Sequence, residues 1–439
     1  MTDTISRLRH HANEILESAV RAVDPARVLR AAPARHLLDH FGPRTPMYVV
    51  AAGKAAWRMA VAFSDLGAGR VKRGVVAGSR PDGAALESTY EWFEAGHPDP
   101  NHASISAAQR ALALAREAKR DPDALLVVLL SGGASAMLAA PAAEVTLEDK
   151  IATSRAIMHA GFAIDALNCV RKHLSDVKGG QLAAAAARTL TLAISDVHGP
   201  IADDPSVIGS GPTVPDPTTY GEAMEIVRSI REIPARVRAR LDRGLKGELP
   251  ETIKPGDARL ANAKYEVIAN RVTSLDAARI AAESLGYTVT VIDRATGGEA
   301  RDASRQFVDR ARVLARSARR PHCVLAAGET TVTVAGKGLG GRNQEFALAA
   351  APHVEALRAS LAIDVVLASA GTDGADGPTD AAGAVVDSTT LERARARGLD
   401  GLSTLAANDS YHFFEPLGDL IKWGPTGTNV GDVQLLLMA

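Results

Sequence analysis

The sequence contains few cysteines, no excess of charge and no long apolar run, and each absence excludes a class of protein. Only Cys169 and Cys323 occur in 439 residues, which excludes a disulfide framework or a cysteine-built zinc site and favours a reducing compartment. The 51 Asp and Glu residues offset the 50 Lys and Arg residues, so no global field attracts nucleic acid. No segment reaches the ~18 consecutive apolar residues of a membrane-spanning helix.

The N-terminal region, residues 1–23, lacks the uninterrupted apolar core of a signal peptide, because charged residues are spread through it. Its pattern predicts an amphipathic surface helix. Together these features predict a cytoplasmic protein whose partner is a small molecule, with no nucleic acid and no membrane involved. The oligomeric state is left open, and a homodimer is compatible with the sequence.

The composition is that of a globular protein, with 46% hydrophobic and 23% charged residues. Short apolar runs such as Met47–Ala52, Ala124–Leu130 and Thr189–Ile194 end in polar or glycine turns and precede Ala-, Leu- and Arg-rich helical stretches. This alternation predicts an α/β fold with a mostly parallel, doubly wound sheet. Ligand chemistry then belongs at the carboxyl ends of the strands.

The length of the chain indicates two domains, since a domain averages ~150 residues. A stretch rich in charge, Pro and Gly, residues 232–255, separates two runs of the strand–helix pattern. We therefore predict an N-terminal domain over residues 1–245 and a C-terminal domain over residues 256–439. The final segment, residues 408–439, is assigned to the second domain with the alternative that it packs back on the first.

The first candidate motif is a buried strand that ends in Gly53 and places Lys54 at the mouth of the next helix. A lysine there can reach a phosphate or carboxylate beside the partial positive charge of the helix N-terminus. It is not a Walker A loop, because Tyr48 and Ala55 stand where that motif needs Gly and Ser/Thr. An ordinary surface lysine is the alternative interpretation.

The second motif is a strand followed by Ser131, Gly132, Gly133, Ala134 and Ser135. Two glycines allow close approach of the backbone to a ligand, and the serines add hydroxyl groups beside free N–H groups of the turn. This combination suits the phosphates of a nucleotide. The alternative is a tight turn in which glycine is needed only for its backbone dihedral angles and contacts no ligand.

The third motif places Asp196 at the end of a strand, where a carboxylate can hold Mg²⁺ or accept the proton of an attacking hydroxyl group. Asp203 and Asp204 are second candidates, although an aspartate before proline is commonly a turn former. His198 is a further polar residue, and a structural role and a functional role are equal alternatives for it.

The fourth motif is glycine-rich and precedes a predicted helix. Gly336, Gly338 and Gly341 formally satisfy the dinucleotide pattern G-x-G-x-x-G, but the acidic residue that should end the next strand, Asp364, precedes it instead. We favour a flexible loop that delivers Arg342 to a phosphoryl group, since a guanidinium fork matches phosphate oxygens. A structural arginine at the start of a helix is the alternative.

Two further segments are rich in oxygen ligands and donors. Asp373 and Asp376 lie in a glycine loop that lacks the closing glutamate of an EF-hand. They are therefore no more than candidates for metal binding. Residues 424–432, which include Thr428, are dense in amide and hydroxyl groups, as a nucleotide or a polyoxygenated substrate requires.

These motifs occur in one order with Ala95-Gly-His-Pro98, Arg171-Lys-His-Leu174 and Lys178-Gly-Gly180. The chain thereby resembles the glycerate 2-kinase family, whose C-terminal half is called the MOFRL domain and some of whose members are labelled hydroxypyruvate reductases. The resemblance implies an N-terminal Rossmann-like αβα sandwich and a smaller C-terminal α/β (MOFRL) domain. It also implies a cleft in which ATP phosphorylates D-glycerate to 2-phosphoglycerate.

By this resemblance Lys54 and Arg342 are the catalytic cations, and Ser131, Gly132, Gly133 and Ser135 form the nucleotide loop. The family often has a glycine where Ala134 stands, which puts backbone contact at that position in doubt. The insertion of residues 198–202 after Asp196 is a second departure and bears on substrate preference.

The resulting hypothesis is that Asp196, supported by Asp373, holds Mg²⁺ between the phosphates while Lys54 and Arg342 neutralise their charge. Gly341 and Thr428 are predicted as further contacts of the ATP cofactor.

Two other functions compete with the kinase. The first is an NAD(P)H-dependent hydroxypyruvate or tartronate semialdehyde reductase, which needs a dinucleotide-binding motif. In the candidate motif at Gly336–Gly341, the acidic residue Asp364 stands before the next strand and not at its end. The second alternative is a nonenzymatic module that binds a nucleotide or a sugar acid. The charged residues at several strand ends argue against it, because binding alone needs fewer convergent charges.

Overall fold

The computed structural model describes residues 3–67, 69–79 and 85–439. Its strands are β1 (Met47–Ala52), β2 (Val71–Gly78), β3 (Tyr90–Glu94), β4 (Leu125–Leu130), β5 (Thr189–Ile194), β6 (Ala263–Ala269), β7 (Thr288–Val291), β8 (His322–Gly328), β9 (Val365–Gly371), β10 (Gly383–Asp387), β11 (Leu420–Ile421) and β12 (Asp432–Met438).

The helices of the first part of the chain are α1 (Asp3–Ala22), α2 (Pro25–Arg30), α3 (Ala32–Asp39), α4 (Ala56–Leu66), α5 (His102–Lys119), α6 (Ala134–Met137), α7 (Leu147–His159), α8 (Ile164–His173), α9 (Gln181–Ala184), α10 (Tyr220–Arg228) and α11 (Ala235–Leu245). The later helices are α12 (Arg271–Ser284), α13 (Ala300–Ala315), α14 (Arg342–Leu361), α15 (Thr390–Arg395), α16 (Gly401–Ala406) and α17 (Ser410–Phe414). None of the described helices is both long enough and apolar enough to cross a membrane.

The chain divides into two compact units. The central unit is Pro25–Ile268, and the terminal unit combines Met1–Asp24 with Ala269–Ala439. These bounds differ from the predicted ranges 1–245 and 256–439, because the N-terminal helix belongs with the C-terminal residues and the central unit extends into β6.

The position of α1 has a clear physical cause. The predicted amphipathic helix forms from Asp3 to Ala22, with Met1 and Thr2 outside the described residues, and its apolar face packs into the core under the second sheet. Arg9 on this helix forms ion pairs with the buried carboxylates of Asp387 and Asp419. Removing α1 would expose apolar surface and leave two carboxylates short of a cation.

The central unit contains a six-stranded sheet of order β3-β2-β1-β4-β5-β6. Its neighbours from β3 to β5 run parallel, and β4 and β5 are buried along their whole length, as strands covered by helices on both faces must be. The order reverses between β1 and β4, and such a switch point opens a crevice at the carboxyl ends of the two strands. The predicted α/β, Rossmann-like fold is confirmed.

The terminal unit contains a second six-stranded sheet of order β11-β10-β9-β12-β8-β7. It is mixed, since β12 runs antiparallel to both β8 and β9, whereas β7 and β8 are parallel. The last strand thus lies inside this sheet and is buried throughout. The final segment therefore packs within the terminal unit, where it also contacts α1 of the first predicted domain.

Candidate active site

The turns after β1 and β4 interlock at the switch point of the central sheet. The backbone N–H of Lys54 donates to Gly132 O at 2.8 Å, and that of Ala55 donates to Ser131 Oγ at 3.0 Å. Gly53 has φ +119°, and a Cβ there would lie 2.3 Å from Ser131 Oγ. Only glycine permits this approach, so the structure brings the first two predicted motifs into direct contact.

An imidazole completes this group. A Cβ on Gly133 would lie 2.9 Å from His97 Cδ2 and 3.5 Å from Lys54 Cγ, so both side chains cover the glycine turn. Burial and the positive charge of Lys54 lower the pKa of His97. In the sequence only the family resemblance marks the segment containing His97, and nothing local to it signals that β3 ends at the same edge as β1 and β4.

Ser135 takes part in a buried polar chain that the sequence did not reveal. Its Oγ lies 2.7 Å from Ser210 Oγ, which donates in turn to Asn168 Oδ1 at 2.9 Å. Lys178 Nζ donates to Ser135 O at 2.8 Å, to Ser135 Oγ at 3.2 Å and to Gly209 O at 3.3 Å. Lys178 thereby ties the predicted nucleotide loop to the segment after β5.

The positive charges near this chain are incompletely compensated. Lys172 has a buried carboxylate partner, with its Nζ 3.3 Å from Asp216 Oδ1, but within the described chain no carboxylate contacts the Nζ of Lys178. Burial, with the nearby charges of Lys150 and Arg171, lowers the pKa of Lys178 well below its ordinary value. An anionic ligand nearby would favour the charged forms of these basic side chains.

The burial of Lys150 can be tested through the pH dependence of the free energy of unfolding. Burial lowers its pKa to about 7, whereas an unfolded lysine titrates near ~10.4. Between those values the unfolded chain binds more protons than the folded one, so stability should rise with pH. Relative to Lys150→Met, we expect the wild-type free energy of unfolding to increase by about 2 kcal/mol between about pH 7.5 and pH 9.5.

Urea unfolding followed by tryptophan fluorescence measures this difference. Lys119→Met is the control, because Lys119 is exposed at the end of α5 and should follow the wild type at each pH. Parallel pH curves for the wild type and Lys150→Met would contradict the expected titration.

Asp196 lies two residues after the end of β5 and is half-buried at the same strand-end edge as Lys54 and Ser131. Asp204 acts as a turn former, since its Oδ1 accepts from Ser206 N at 2.8 Å, and Asp203 has φ 60° in the same turn. Over the described ranges, no group of three or more His, Cys, Asp or Glu residues is arranged to hold a metal ion. A metal site at Asp196 therefore needs ligands beyond the side chains of the described residues.

In the terminal unit Arg342 is the first residue of α14 and is held by two carboxylates. Its Nε and Nη2 donate to Asp432 Oδ2 and Oδ1 at 2.7 and 2.9 Å, and its Nη1 donates to Glu329 Oε1 at 2.6 Å. Asp432 is fully buried. The ion pair with Asp432 raises the pKa of Arg342, so the guanidinium keeps its charge under all ordinary conditions.

The glycine-rich loop before α14 has anchoring contacts that the sequence did not indicate, and its predicted flexibility stays a prediction. Leu339 N donates to Asp409 Oδ1 at 2.8 Å, and the N–H groups of Ala335 and Gly336 donate to Asn408 Oδ1 at 2.9 and 2.8 Å. A Cβ on Gly336 would lie 2.0 Å from Ala407 O. Glycine is thus needed in this loop because its backbone packs closely against another segment of the same protein.

Asp376 occupies the N-terminus of α14. Its two carboxylate oxygens accept from Asn343 N at 3.0 Å and from Gln344 N at 2.8 Å, and a Cβ on Gly341 would lie 2.3 Å from its Cγ. Burial is the main cause that raises the pKa of Asp376 to about 6. This carboxylate fills the position that the pyrophosphate of a dinucleotide would need, so the geometry disfavours a dinucleotide site here.

The remaining predicted contact residues have hydrogen-bond partners within the terminal unit. Asp373 Oδ1 accepts from Ala375 N at 3.3 Å, and Thr428 is buried with its hydroxyl group donating to Val23 O at 2.7 Å. Asp373 belongs to the terminal unit and Asp196 to the central unit. A nucleotide contact at Thr428 or Gly341 stays a prediction, and at Gly341 only the backbone is available for it.

Known proteins match the chain over nearly its full length. Residues 11–242 match the family described as a domain of unknown function, DUF4147, and residues 322–432 match the MOFRL family. A D-glycerate 2-kinase of Thermotoga maritima is 35% identical over 436 residues, which cover 98% of each chain. The chain belongs to the glycerate kinase family. The resemblance stated from the sequence is therefore confirmed.

The solved structures agree with this membership. A crystal structure of a glycerate kinase from Thermotoga maritima superimposes with a TM-score of 0.86 at 35% identity, covering 99% of this chain and 100% of that one. A protein of Agrobacterium vitis that is described provisionally as a hydroxypyruvate reductase is 38% identical and covers 98% of this chain and 94% of its own. The reductase name therefore also occurs among relatives.

Proposed function

We propose that this protein is a glycerate 2-kinase that transfers the γ-phosphoryl group of ATP to the 2-hydroxyl group of D-glycerate. The observation that carries the proposal is the contact between the Lys54 turn and the Ser131–Gly133 turn at the switch point of the central sheet. Doubly wound sheets bind phosphorylated ligands at this place, and the family membership names the reaction.

The residues of the two turns have distinct proposed roles. The backbone of Gly132 and Gly133 allows a phosphate chain to approach closely, and the N-terminus of α6 adds partial positive charge. Lys54, which is exposed at the turn, neutralises charge on the transferring phosphoryl group. Arg342 of the terminal unit remains the second proposed catalytic cation, and its fixed geometry suits a preorganised electrostatic role.

Asp196 is the proposed ligand of Mg²⁺. A single half-buried carboxylate fits this ion, because nucleotide-bound Mg²⁺ keeps several waters and commonly uses one or two carboxylates together with phosphate oxygens. When bound, the ion would neutralise charge on the phosphates. A supporting role for Asp373 is retained as part of the proposal.

The buried polar chain supports an anionic ligand at the Ser131–Ser135 loop. Lys178, Lys150 and Arg171 cluster there, and a bound phosphate would favour the charged forms of these side chains. Both cysteines are buried and free, which supports the proposed cytoplasmic location.

The test is a coupled ADP-release assay with D-glycerate and Mg-ATP, run beside NADH and NADPH oxidation with hydroxypyruvate. ADP formation that depends on D-glycerate supports the kinase, and consumption of reduced nicotinamide without ADP would overturn it. The proton-coupled ³¹P spectrum of the product decides the position of transfer. A phosphate on the 2-oxygen couples to one proton and gives a doublet, and one on the 3-oxygen couples to a methylene group and gives a triplet.

A further inference from the structure

The segment that carries His97 is held rigidly at the end of β3. Ala95 N donates to Gly78 O at 3.1 Å, and Gly96 N donates to Ser104 Oγ at 3.0 Å in the first turn of α5. Asn101 caps the same helix through Ser104 N at 2.9 Å. A Cβ on Gly96 would lie 2.4 Å from Asp99 O, so this turn requires glycine. His97 therefore occupies a preorganised position.

That position faces the proposed phosphate-binding turn. The His97 ring and the Lys54 side chain both lie against Gly133, and His97 is exposed. In the described part of the chain neither imidazole nitrogen forms a hydrogen bond with another residue. Histidines with a structural role usually have such a partner. An accessible imidazole beside a catalytic cation suits proton transfer.

Partial burial and one neighbouring charge favour the neutral form of this imidazole. Although part of His97 is open to solvent, burial by its neighbours is the largest cause that lowers its pKa, and the Lys54 ammonium group is the second. The nearest acid in the same segment, Asp99, forms an ion pair with Arg155. A neutral imidazole at pH 7 can accept a proton.

We propose that His97 is the general base of the phosphoryl transfer, taking the proton of the substrate's 2-hydroxyl group; the inference rests on the proposed kinase function. The hydroxyl O–H bond breaks as the oxygen forms its bond to the γ-phosphorus of ATP. The bond between that phosphorus and the β,γ-bridging oxygen breaks, and its electron pair leaves with ADP. The proton passes to a ring nitrogen of His97 and then to water.

His97 is better suited than Lys54 or Asp196 to accept the proton of the substrate hydroxyl group. Lys54 is a cation whose proposed task is to neutralise phosphate charge, so it cannot also accept a proton. Asp196 is the proposed metal ligand, and metal binding makes a carboxylate a weaker base. His97 combines neutrality, access and a place beside the phosphate-binding turn.

His97→Gln tests the proposal, with kcat and kcat/KM for D-glycerate measured as functions of pH. We expect kcat to fall ~10²–10³-fold with little change in the KM for ATP, because a positioned base contributes that much. The decline of the wild-type rate below the pKa of His97 should disappear in the variant. His102→Gln is the matched control, since His102 is an exposed histidine at the start of α5, and it should retain wild-type rates.

Two outcomes would overturn the proposal while the kinase function stands: a His97→Gln rate within about threefold of wild type, or a reduced rate that keeps the wild-type decline at acid pH. If the wild type makes no ADP from D-glycerate, the proposed function fails and the role of His97 fails with it. Circular dichroism and thermal unfolding of His97→Gln distinguish a lost base from a lost fold.

A second measurement does not depend on turnover. An NMR titration of the His97 imidazole should give a pKa below the ordinary value of about 6.5, and Lys54→Met should raise it by removing a repulsive charge. An ordinary pKa that is unchanged by Lys54→Met would show that the imidazole is not coupled to the phosphate-binding turn, and would overturn the proposal.

Discussion

Replacing Lys54 by alanine should lower kcat/KM for D-glycerate-dependent ADP formation by ~10²–10⁴-fold while the protein stays folded. The expected loss reflects removal of one cation from the transferring phosphoryl group, where single charges have effects of this order. The fold should survive because the anchoring hydrogen bond at this residue comes from its backbone N–H group, which donates to Gly132 O. The side chain itself is exposed at the turn.

Steady-state kinetics of the purified variant measure this effect. Lys119→Ala at the exposed end of α5 removes an equal charge outside the site and should leave kcat/KM unchanged. Lys54→Arg is a further probe, because arginine keeps the charge but places a wider, planar group at the turn. Wild-type activity in Lys54→Ala would contradict the role assigned to the lysine.

Replacing Arg342 by methionine should destabilise the terminal unit by ~3–5 kcal/mol and also abolish most of the activity. Arg342 is bidentate to the fully buried Asp432, and removing one partner of a buried pair leaves an uncompensated charge. The loss of activity in this single variant therefore mixes a structural cause with a catalytic one. A second substitution is needed to separate them.

The double variant Arg342→Met with Asp432→Asn makes that separation. Removing both charges should restore most of the stability, since the buried carboxylate no longer needs a cation. If Arg342 acts on the phosphoryl group, the double variant should remain ~10²-fold or more below the wild type in kcat. Recovery of activity together with stability would make Arg342 a structural residue only. Urea unfolding and ADP-release kinetics provide the two readouts.

The stability loss in Arg342→Met should also depend on pH. Asp376 has its pKa raised to about 6, and Arg342 opposes that rise while Asp432 adds to it. Without Arg342 the pKa of Asp376 should increase further, so the folded state binds more protons than the unfolded state between about pH 4 and the folded pKa. Stability is then lost as pH rises through this window. We expect a larger deficit at about pH 8 than at about pH 5.

The position of Lys54 beside Ser131 could be predicted from the sequence, because strand periodicity places both at the carboxyl ends of parallel strands. The sequence alone left three residues without a role: His97, Lys178 and Asn168. Their partners are far along the chain, as in the contact between Lys178 and Gly209. No local spacing signals such a contact. The contacts of the loop before α14 were missed for the same reason, since its partners at Asn408 and Asp409 lie outside any local window.

Local patterns by themselves determined the class of fold and the strand-end motifs of this protein. Apolar periodicity depends only on which faces of a strand or helix are buried, and glycine turns depend only on backbone angles and close approach. The tertiary structure alone decided that α1 joins the C-terminal residues, that β12 lies inside the second sheet and that Asp376 occupies the N-terminus of α14. Each of these results rests on burial or on a hydrogen bond between residues distant in sequence, and such pairings exist only once the chain has packed.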